Sequence, residues 1–145
     1  MSFLALDALL KTRLQAQIPD VQAFGMLEAV DFADEDNPLD AALAIRLEDF
    51  SVSAASRAAR DRARIAERWT VTLYVHRARV DAERRAELLA LPDQVFAALT
   101  NWTPPLAGGN DEDVLLLVDG SVREDGPLIA IAQTYEFPLM VGSTT

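Results

Sequence analysis

The clearest pattern in the chain is an alternation of apolar and polar residues that ends at His76. A period of two places successive side chains on opposite faces of a β-strand, and a helix does not reproduce it. The apolar positions are Ile65, Trp69, Val71, Leu73 and Val75. The other positions are Arg68, Thr70, Thr72, Tyr74 and His76. The pattern predicts a strand with one buried face and one more polar face.

Two stretches repeat apolar residues every three or four positions, which is the period of a helix that packs along one side. The first contains Phe3, Leu6, Leu10 and Leu14, with Ser2 as its predicted N-cap. Ile18-Pro19 is its predicted end, because proline disfavours helical backbone in the residue before it. The second starts near Asp81 and contains Leu88, Leu91, Val95, Leu99 and Trp102. Pro92 is expected to kink or restart this second helix.

Four further segments have the character of strands. Leu43 to Leu47 alternates, and Val21 to Val30 is a short apolar stretch. Val114 to Val118 is continuously apolar, which predicts a strand buried on both faces. Leu128 to Val141 predicts a long last strand, and Pro138 predicts that its far end is unpaired or lies at a sheet edge.

These elements predict the order helix, two or three strands, helix, two strands. The fold class that follows is α+β: a mixed, largely antiparallel sheet of four to five strands with two main helices packed on one face. Turns are expected at Asp119-Gly120 and Asp125-Gly126-Pro127. A chain of 145 residues fits one domain, over residues 1–145. Residues 51–64 are rich in Ser, Ala and Arg and contain almost no large apolar side chain, which predicts an extended Arg-rich loop or arm.

Composition narrows the classes of function. Half of the residues are hydrophobic, which favours a packed core, and the net charge of −10 disfavours binding to nucleic acid through a broad basic face. The absence of cysteine excludes disulfides and thiolate metal sites, and a single histidine excludes a multi-histidine site within one chain. Neither a secretory signal nor an apolar run long enough to span a bilayer is visible, so we expect a soluble protein made in the cytoplasm.

A search for catalytic constellations finds little. The chain has no glycine-rich dinucleotide or phosphate loop, no nucleophile elbow and no HExxH motif. His76 is the one candidate general base, and a ligand-binding or enzymatic site near His76 and Tyr74 is the alternative of a different class. The acidic residues between Asp31 and Asp40 lack the glycine and terminal glutamate of a calcium loop, so a solvated loop is the better interpretation. We predict no catalytic residue, no metal site and no cofactor.

The distribution of charge is more informative than its sum. Nine of the 13 basic residues lie between Arg57 and Arg85, whereas residues 20–50 contain nine acids and one base. Either these charges mix in space, or a basic patch on one copy contacts an acidic patch on the next. For the second case the predicted interface residues are Arg57, Arg60, Arg62, Arg64, Asp34, Glu35 and Asp36. Such head-to-tail contacts close into rings when the rotation between copies permits.

The order of the predicted elements and their pattern of apolar and polar residues resemble the tail terminator family of long-tailed bacteriophages, particularly the version found in Mu-like phages and prophages. The resemblance covers nearly the whole chain. Its most specific pieces are the strand Arg68-Trp69-Thr70-Val71-Thr72-Leu73-Tyr74-Val75, the helix that ends near Asn101-Trp102-Thr103-Pro104, and the last strand with Gly126-Pro127-Leu128-Ile129-Ala130 and Thr134-Tyr135-Glu136-Phe137.

This resemblance implies a structural virion protein without catalysis. Six copies would form a ring that caps the head-proximal end of the tail tube, stops the growth of the tube and of any sheath, and offers a surface to the neck and head-completion proteins. The implied partners are other copies of the chain, the tail tube protein, the sheath protein in a contractile tail and the neck proteins, with DNA passing through the lumen and no membrane involved. Another neck or tail-completion protein, or part of a phage-derived injection system, is the nearest alternative.

Overall fold

The computed structural model describes residues 5–28, 32, 37–52, 62–106 and 114–142, and for residues 62–64, 125 and 139–142 it describes the backbone alone. The elements are, in chain order, α1 (Ala5–Gln17), β1 (Ala23–Phe24), β2 (Ala41–Val52), β3 (Arg62–His76), α2 (Ala82–Leu89), α3 (Leu91–Thr100), β4 (Leu116–Asp125) and β5 (Leu128–Gly142). A 3-10 turn at Arg77–Arg79 joins β3 to the second helical segment. This is the predicted order of elements.

The five strands form one mixed sheet in the order β1-β2-β3-β5-β4. The short β1 runs parallel to β2, and every other pair of neighbours is antiparallel. The helical segments and one face of the sheet share a single hydrophobic core, so the predicted α+β class is confirmed.

The alternation in β3 buries the predicted face. Its apolar side chains belong to the core, and Trp69 lies between Leu47 of β2 and Tyr135 of β5. Among the described residues of the opposite face, Arg68 is exposed and Thr70 is buried. That opposite face is the helix-free face of the sheet.

The buried face and the end of α1 agree with its sequence. In α1 the buried residues are Leu6, Leu10 and Leu14, one turn apart, and the helix ends before Pro19. The predicted N-cap of α1, Ser2, lies outside the described residues.

The second helix is broken, as Pro92 predicts. Its first part, α2, is capped by Asp81, whose side chain accepts a hydrogen bond from the backbone N–H of Arg84 at 2.7 Å. The helix breaks at Ala90, and Pro92 stands in the first turn of α3, where its missing N–H costs no hydrogen bond.

Three sequence predictions need correction. The run Val114 to Val118 is not a strand buried on both faces, because β4 begins at Leu116 and is the edge strand of the sheet. A continuous apolar run does not tell an edge strand from a central one. Asp119-Gly120 is not a turn but lies inside β4, next to a register shift between Leu117 and Asp119. Within the stretch Val21 to Val30, the described strand is the two-residue β1.

The predicted arm at residues 51–64 lies mostly outside the described residues. β2 continues to Val52 and β3 begins at Arg62, so both ends of the segment are strand, and residues 53–61 lie outside the described residues. The predicted turn at Asp125-Gly126-Pro127 is confirmed. Gly126 has φ +58° and precedes a proline, which is the pattern of a tight type II′ hairpin turn between β4 and β5.

Candidate interaction surfaces

The helix-free face of the sheet forms an open groove of about 610 Å³. Its floor consists of small and hydroxyl side chains, which leave room above the sheet. These are Ala44, Thr70, Thr72, Ser121, Ala132 and Thr134. The hydroxyls of Thr70 and Thr134 lie 2.8 Å apart across β3 and β5, and this hydrogen bond satisfies both groups at the centre of the floor.

An aromatic wall closes one end of the groove. The ring of Phe32 stacks on Tyr74 with their centroids 5.0 Å apart, and it meets the edge of Phe24 at 5.5 Å. Pairs in these geometries stabilise beyond their buried area by about 0.5–1.5 kcal/mol. These ring contacts therefore stabilise the position of the three aromatic side chains at this end of the groove.

Charged side chains of both signs line the rest of the rim. Arg46 donates to Glu48 at 2.5 Å, and this contact holds the pKa of the Glu48 carboxyl below its usual range. The Nε of Arg68 lies 3.9 Å from a carboxylate oxygen of Asp49 and equally far from one of Glu136. Exposed pairs of this kind contribute only about 0–1 kcal/mol each. The rim is therefore electrically mixed and does not select one sign of ligand.

The predicted interface residues are largely beyond what the structure describes. Arg57, Arg60, Asp34, Glu35 and Asp36 lie outside the described residues. The backbones of Arg62 and Arg64 belong to β3 and pair with Gly142 and Met140 of β5, and their side chains are not described. The predicted contact between a basic and an acidic patch stays a prediction.

The described part of the basic segment mixes with acids inside the chain. Arg84 of α2 forms ion pairs with Asp20, Asp40 and Glu87, at 2.6, 2.8 and 3.1 Å respectively. Arg77 pairs with Glu124 at 3.5 Å. The charges that are separated along the sequence are thus brought together in the fold at these positions.

Arg84 is the hub that ties α2 to the segment after α1 and to the start of β2. Its hydrogen bond with Asp40 holds the pKa of that carboxyl below its usual value of 3.8. The same contacts raise the pKa of the Arg84 guanidinium, so its charge is permanent in water. The pair is therefore fully formed at neutral pH.

Replacing Asp40 with asparagine is expected to destabilise the protein by up to about 1 kcal/mol at pH 7, since the pair is partly exposed. Because folding lowers the pKa of Asp40, its contribution is present above the unfolded value near pH 3.8 and is lost as the pH falls through the folded value. The difference in unfolding free energy between Asp40→Asn and wild type should therefore shrink below about pH 4. Urea titrations from pH 2.5 to 7 measure it.

The more exposed partner of the same arginine provides the control for this experiment. Asp20 is 61% exposed and bonds the same guanidinium. The variant Asp20→Asn should lose less stability at pH 7. Equal losses for both variants, or a loss for Asp40→Asn that persists at pH 2.5, would contradict the assignment.

His76, the predicted alternative site, ends β3 beside Tyr74 and the start of β2. Its backbone N–H donates to the carbonyl of Asp40 at 2.8 Å. Its ring nitrogen Nδ1 is buried and has no hydrogen-bond partner among the described residues. The space beside it is only about 10 Å³, room for at most a single water. No carboxylate among the described side chains is hydrogen-bonded to this Nδ1.

A surface that the sequence did not reveal lies along β4. Leu116 is 58% exposed and Val122 is 72% exposed, and Leu117 and Val118 between them are each 43% exposed. A shallow groove of about 660 Å³ runs along β4 and the adjoining part of β5. Single exposed apolar residues are common, but a row of them on an edge strand indicates an interaction site.

The opposite side of the sheet has a second open edge. β1 pairs with β2 only at Leu43 and Ala44, so no described strand pairs with the outer edge of β2 from Ile45 to Asp49. Phe50, which follows this stretch, is 48% exposed. Within the described residues the sheet therefore has an open stretch of edge on each side.

Two further classes of site were sought in the described residues. Over these ranges no three carboxylate or imidazole side chains come together in a way that could hold a metal ion. No helix within the same ranges is long and apolar enough to cross a membrane.

No protein-family model matches the chain, and no curated protein matches it significantly.

Proposed function

We propose that this protein is a structural assembly protein whose copies close into a ring, and that it acts as a tail terminator of a phage or a phage-derived particle. The resemblance of the β3, α3 and β5 segments to that family supports the identity of the particle. The observation that carries the assembly role is that, among the described residues, no strand covers the outer edge of β4 or the edge of β2 beyond Ala44 as far as Asp49.

Two opposite free edges favour a head-to-tail contact. β2 and β4 run in opposite directions, because β3 and β5 lie between them and each step of the sheet from β2 to β4 is antiparallel. A second copy placed alongside in the same orientation therefore brings its β2 antiparallel to β4 of the first. Such heterologous contacts generate a closed ring when the rotation between copies is a fraction of a full turn. Sheet edges of this kind pair readily with other chains.

The proposed ring would act by its shape and surface. It would cap the head-proximal end of the tail tube, end the polymerisation of tube and sheath, and present its other side to neck and head-completion proteins. DNA would pass through its lumen without sequence-specific contacts, and the ring would be part of the virion after assembly in the bacterial cytoplasm. No cofactor and no catalytic residue enter this function.

A second candidate function is supported by the groove on the helix-free face. Its volume, its aromatic wall and its polar floor are typical of small-molecule sites, and Tyr74 lines both this groove and the space beside His76. A ligand-binding domain would bind its ligand as a single subunit, whereas the proposed terminator functions as a ring.

The mass of the assembly in solution tests the proposal. Light scattering of the purified chain over a range of concentrations should reveal a species of six times the chain mass, alone or after addition of purified tail tubes. The ring should weaken between low and high salt where Arg–carboxylate contacts hold it, since salt screens exposed charges. A chain that stays smaller than a hexamer at every concentration and does not bind tube ends would overturn the proposal.

Removal of the basic charges from the hairpin between β2 and β3 tests the predicted interface. The variant with Arg57, Arg60, Arg62 and Arg64 replaced by serine is expected to stay folded and to lose most of the ring, because opposite charges at an interface steer and orient the partners. The control replaces the exposed Arg85 of α2, which lies outside the sheet and its two edges. Wild-type ring formation by the hairpin variant would remove this segment from the interface.

A further inference from the structure

The outer edge of β4 has its backbone groups arranged for another strand. Asp125 and Leu128 flank the two-residue turn, so they face each other as a hydrogen-bonded pair, and the pairing continues without a shift as far as Asp119 and Thr134. Backbone groups alternate in direction along a strand. The N–H and C=O groups of Gly120, Val122 and Glu124 therefore point away from β5, toward the open side, where the N–H of Gly120 donates to Asp119 Oδ1 at 2.8 Å.

The sequence of β4 is complementary to itself in one antiparallel register. When two copies of β4 are centred on Ser121, Asp119 of each copy stands opposite Arg123 of the other. Both side chains are exposed on the helix-free face. The central pair and the two charged pairs occupy positions without direct hydrogen bonds, where side chains approach most closely. Opposite charges in such pairs stabilise an antiparallel contact.

The other face of β4 matches in the same register. Val122 of one copy stands opposite Gly120 of the other, so a side chain that is 72% exposed covers a residue that has none. These two residues also carry outward backbone groups, which would exchange hydrogen bonds once the Gly120 N–H releases Asp119 Oδ1. That release also frees the Asp119 carboxylate for Arg123 of the other copy, so backbone pairing, charge and shape favour the same register.

The neighbouring registers that keep the faces matched are poorer. Sliding one strand by two residues relative to the other places Asp119 opposite Asp125, and these two residues have like charges. Sliding it by two residues in the opposite direction places Gly120 opposite Gly120 of the other copy and Asp119 opposite Ser121. Neither pairs an acid with a base, so the strand specifies its own register.

We propose that two copies of this chain pair through β4 in this register, with the two-fold axis at Ser121, and join their sheets into one continuous sheet. The contact is isologous, so it closes after two copies and cannot itself propagate into a polar ring. The pairing does not depend on the proposed function. The outer edge of β4 pairs with one strand at a time, so this dimer and the proposed ring are alternative assemblies, and the dimer must separate at β4 before a ring can close through that edge.

A charge exchange tests the register by sedimentation equilibrium of the full chain. Asp119→Arg and Arg123→Asp should each weaken the dimer by roughly tenfold or more, since each variant replaces two attractive pairs by two repulsive ones. The double variant, which exchanges the two residues, should dimerise close to wild type. Glu83→Arg, an equal change of charge on the exposed side of α2, should leave the dimer unchanged. A wild-type chain that stays monomeric up to the highest concentration measured, or a double variant as weak as the single ones, would overturn the proposal.

A cross-link gives an independent measurement, because the chain contains no cysteine. Ser121→Cys places one thiol per copy at the two-fold axis, where the opposed Cα atoms of such a pair lie about 4.5 Å apart, within the range that a disulfide spans. Mild oxidation should link this variant into a covalent dimer, and Glu124→Cys should link much less. Equal linking of both variants, or none of Ser121→Cys, would show that β4 meets a different partner or a different register and would overturn the proposal. Either result leaves the six-fold ring to be judged by its own mass measurement.

Discussion

Replacing Trp69 with alanine is expected to lower the free energy of unfolding by about 3–5 kcal/mol. Trp69 is fully buried at the centre of the sheet, between Leu47 and Tyr135. Its indole N–H donates to the carboxylate of Glu67 at 3.2 Å, and Glu67 is itself 0% exposed. The substitution therefore opens a large cavity and also removes a hydrogen-bond donor from a buried carboxyl group, whose desolvation is costly.

Urea unfolding followed by circular dichroism measures this effect without relying on the fluorescence of the residue that is removed. The control is Phe96→Ala in α3, where the ring is 43% exposed and the loss should stay below about 1 kcal/mol. Similar losses for the two variants would mean that Trp69 is not at the centre of the core.

The second large effect is expected at Leu88, and its neighbour provides a matched control. Leu88 is 0% exposed and belongs to the core, whereas Leu89 is 55% exposed at the end of the same helix. Leu88→Ala should cost about 2–5 kcal/mol, and Leu89→Ala about 0.5 kcal/mol or less. The two substitutions share their chemistry and their helix propensity, so the difference reports burial alone.

The same urea titrations measure both leucine variants. A ratio near one between the two losses would mean that α2 presents a different side to the sheet. A larger loss for Leu89→Ala would reverse the assignment of the buried face.

The sequence was most informative where a periodic pattern coincides with a strong local constraint. β3 was predictable because its alternation continues for many residues, and burial on one face requires that alternation. The break between α2 and α3 was predictable because proline tolerates only the first turn of a helix. The turn at Gly126-Pro127 was predictable because few other residue pairs adopt its backbone so easily.

The predictions that failed concern strand order and one turn, which the local pattern of residues does not determine. The apolar run before Asp119 has the composition of a central strand, but its place at the sheet edge depends on β5 inserting between β3 and β4. Strand order is a long-range property, and local periodicity does not specify it. Asp119-Gly120 has the composition of a turn, yet it lies inside a strand because the adjacent register shift absorbs the irregularity.

The candidate surfaces were harder to predict than the fold. Basic and acidic residues are segregated along the sequence, but their spacing does not specify that Arg84 reaches Asp20 and Asp40 across the fold. The edge position of β4 could have been suspected from the polar residues that follow its apolar start, since a central strand rarely carries Asp, Ser and Arg at alternate positions. Its self-complementary register becomes visible only when the open edge is known.

The position of β5 also constrains when the molecule can fold during its synthesis. The central partner of β3 is encoded more than fifty residues downstream, so the inner edge of β3 has no strand beside it until β5 has left the ribosome. Over that interval the nascent chain exposes a long apolar strand with one unpaired side, which is the kind of segment that aggregates or engages chaperones. Slow translation through the region that encodes α3 and β4 would lengthen the exposure of β3.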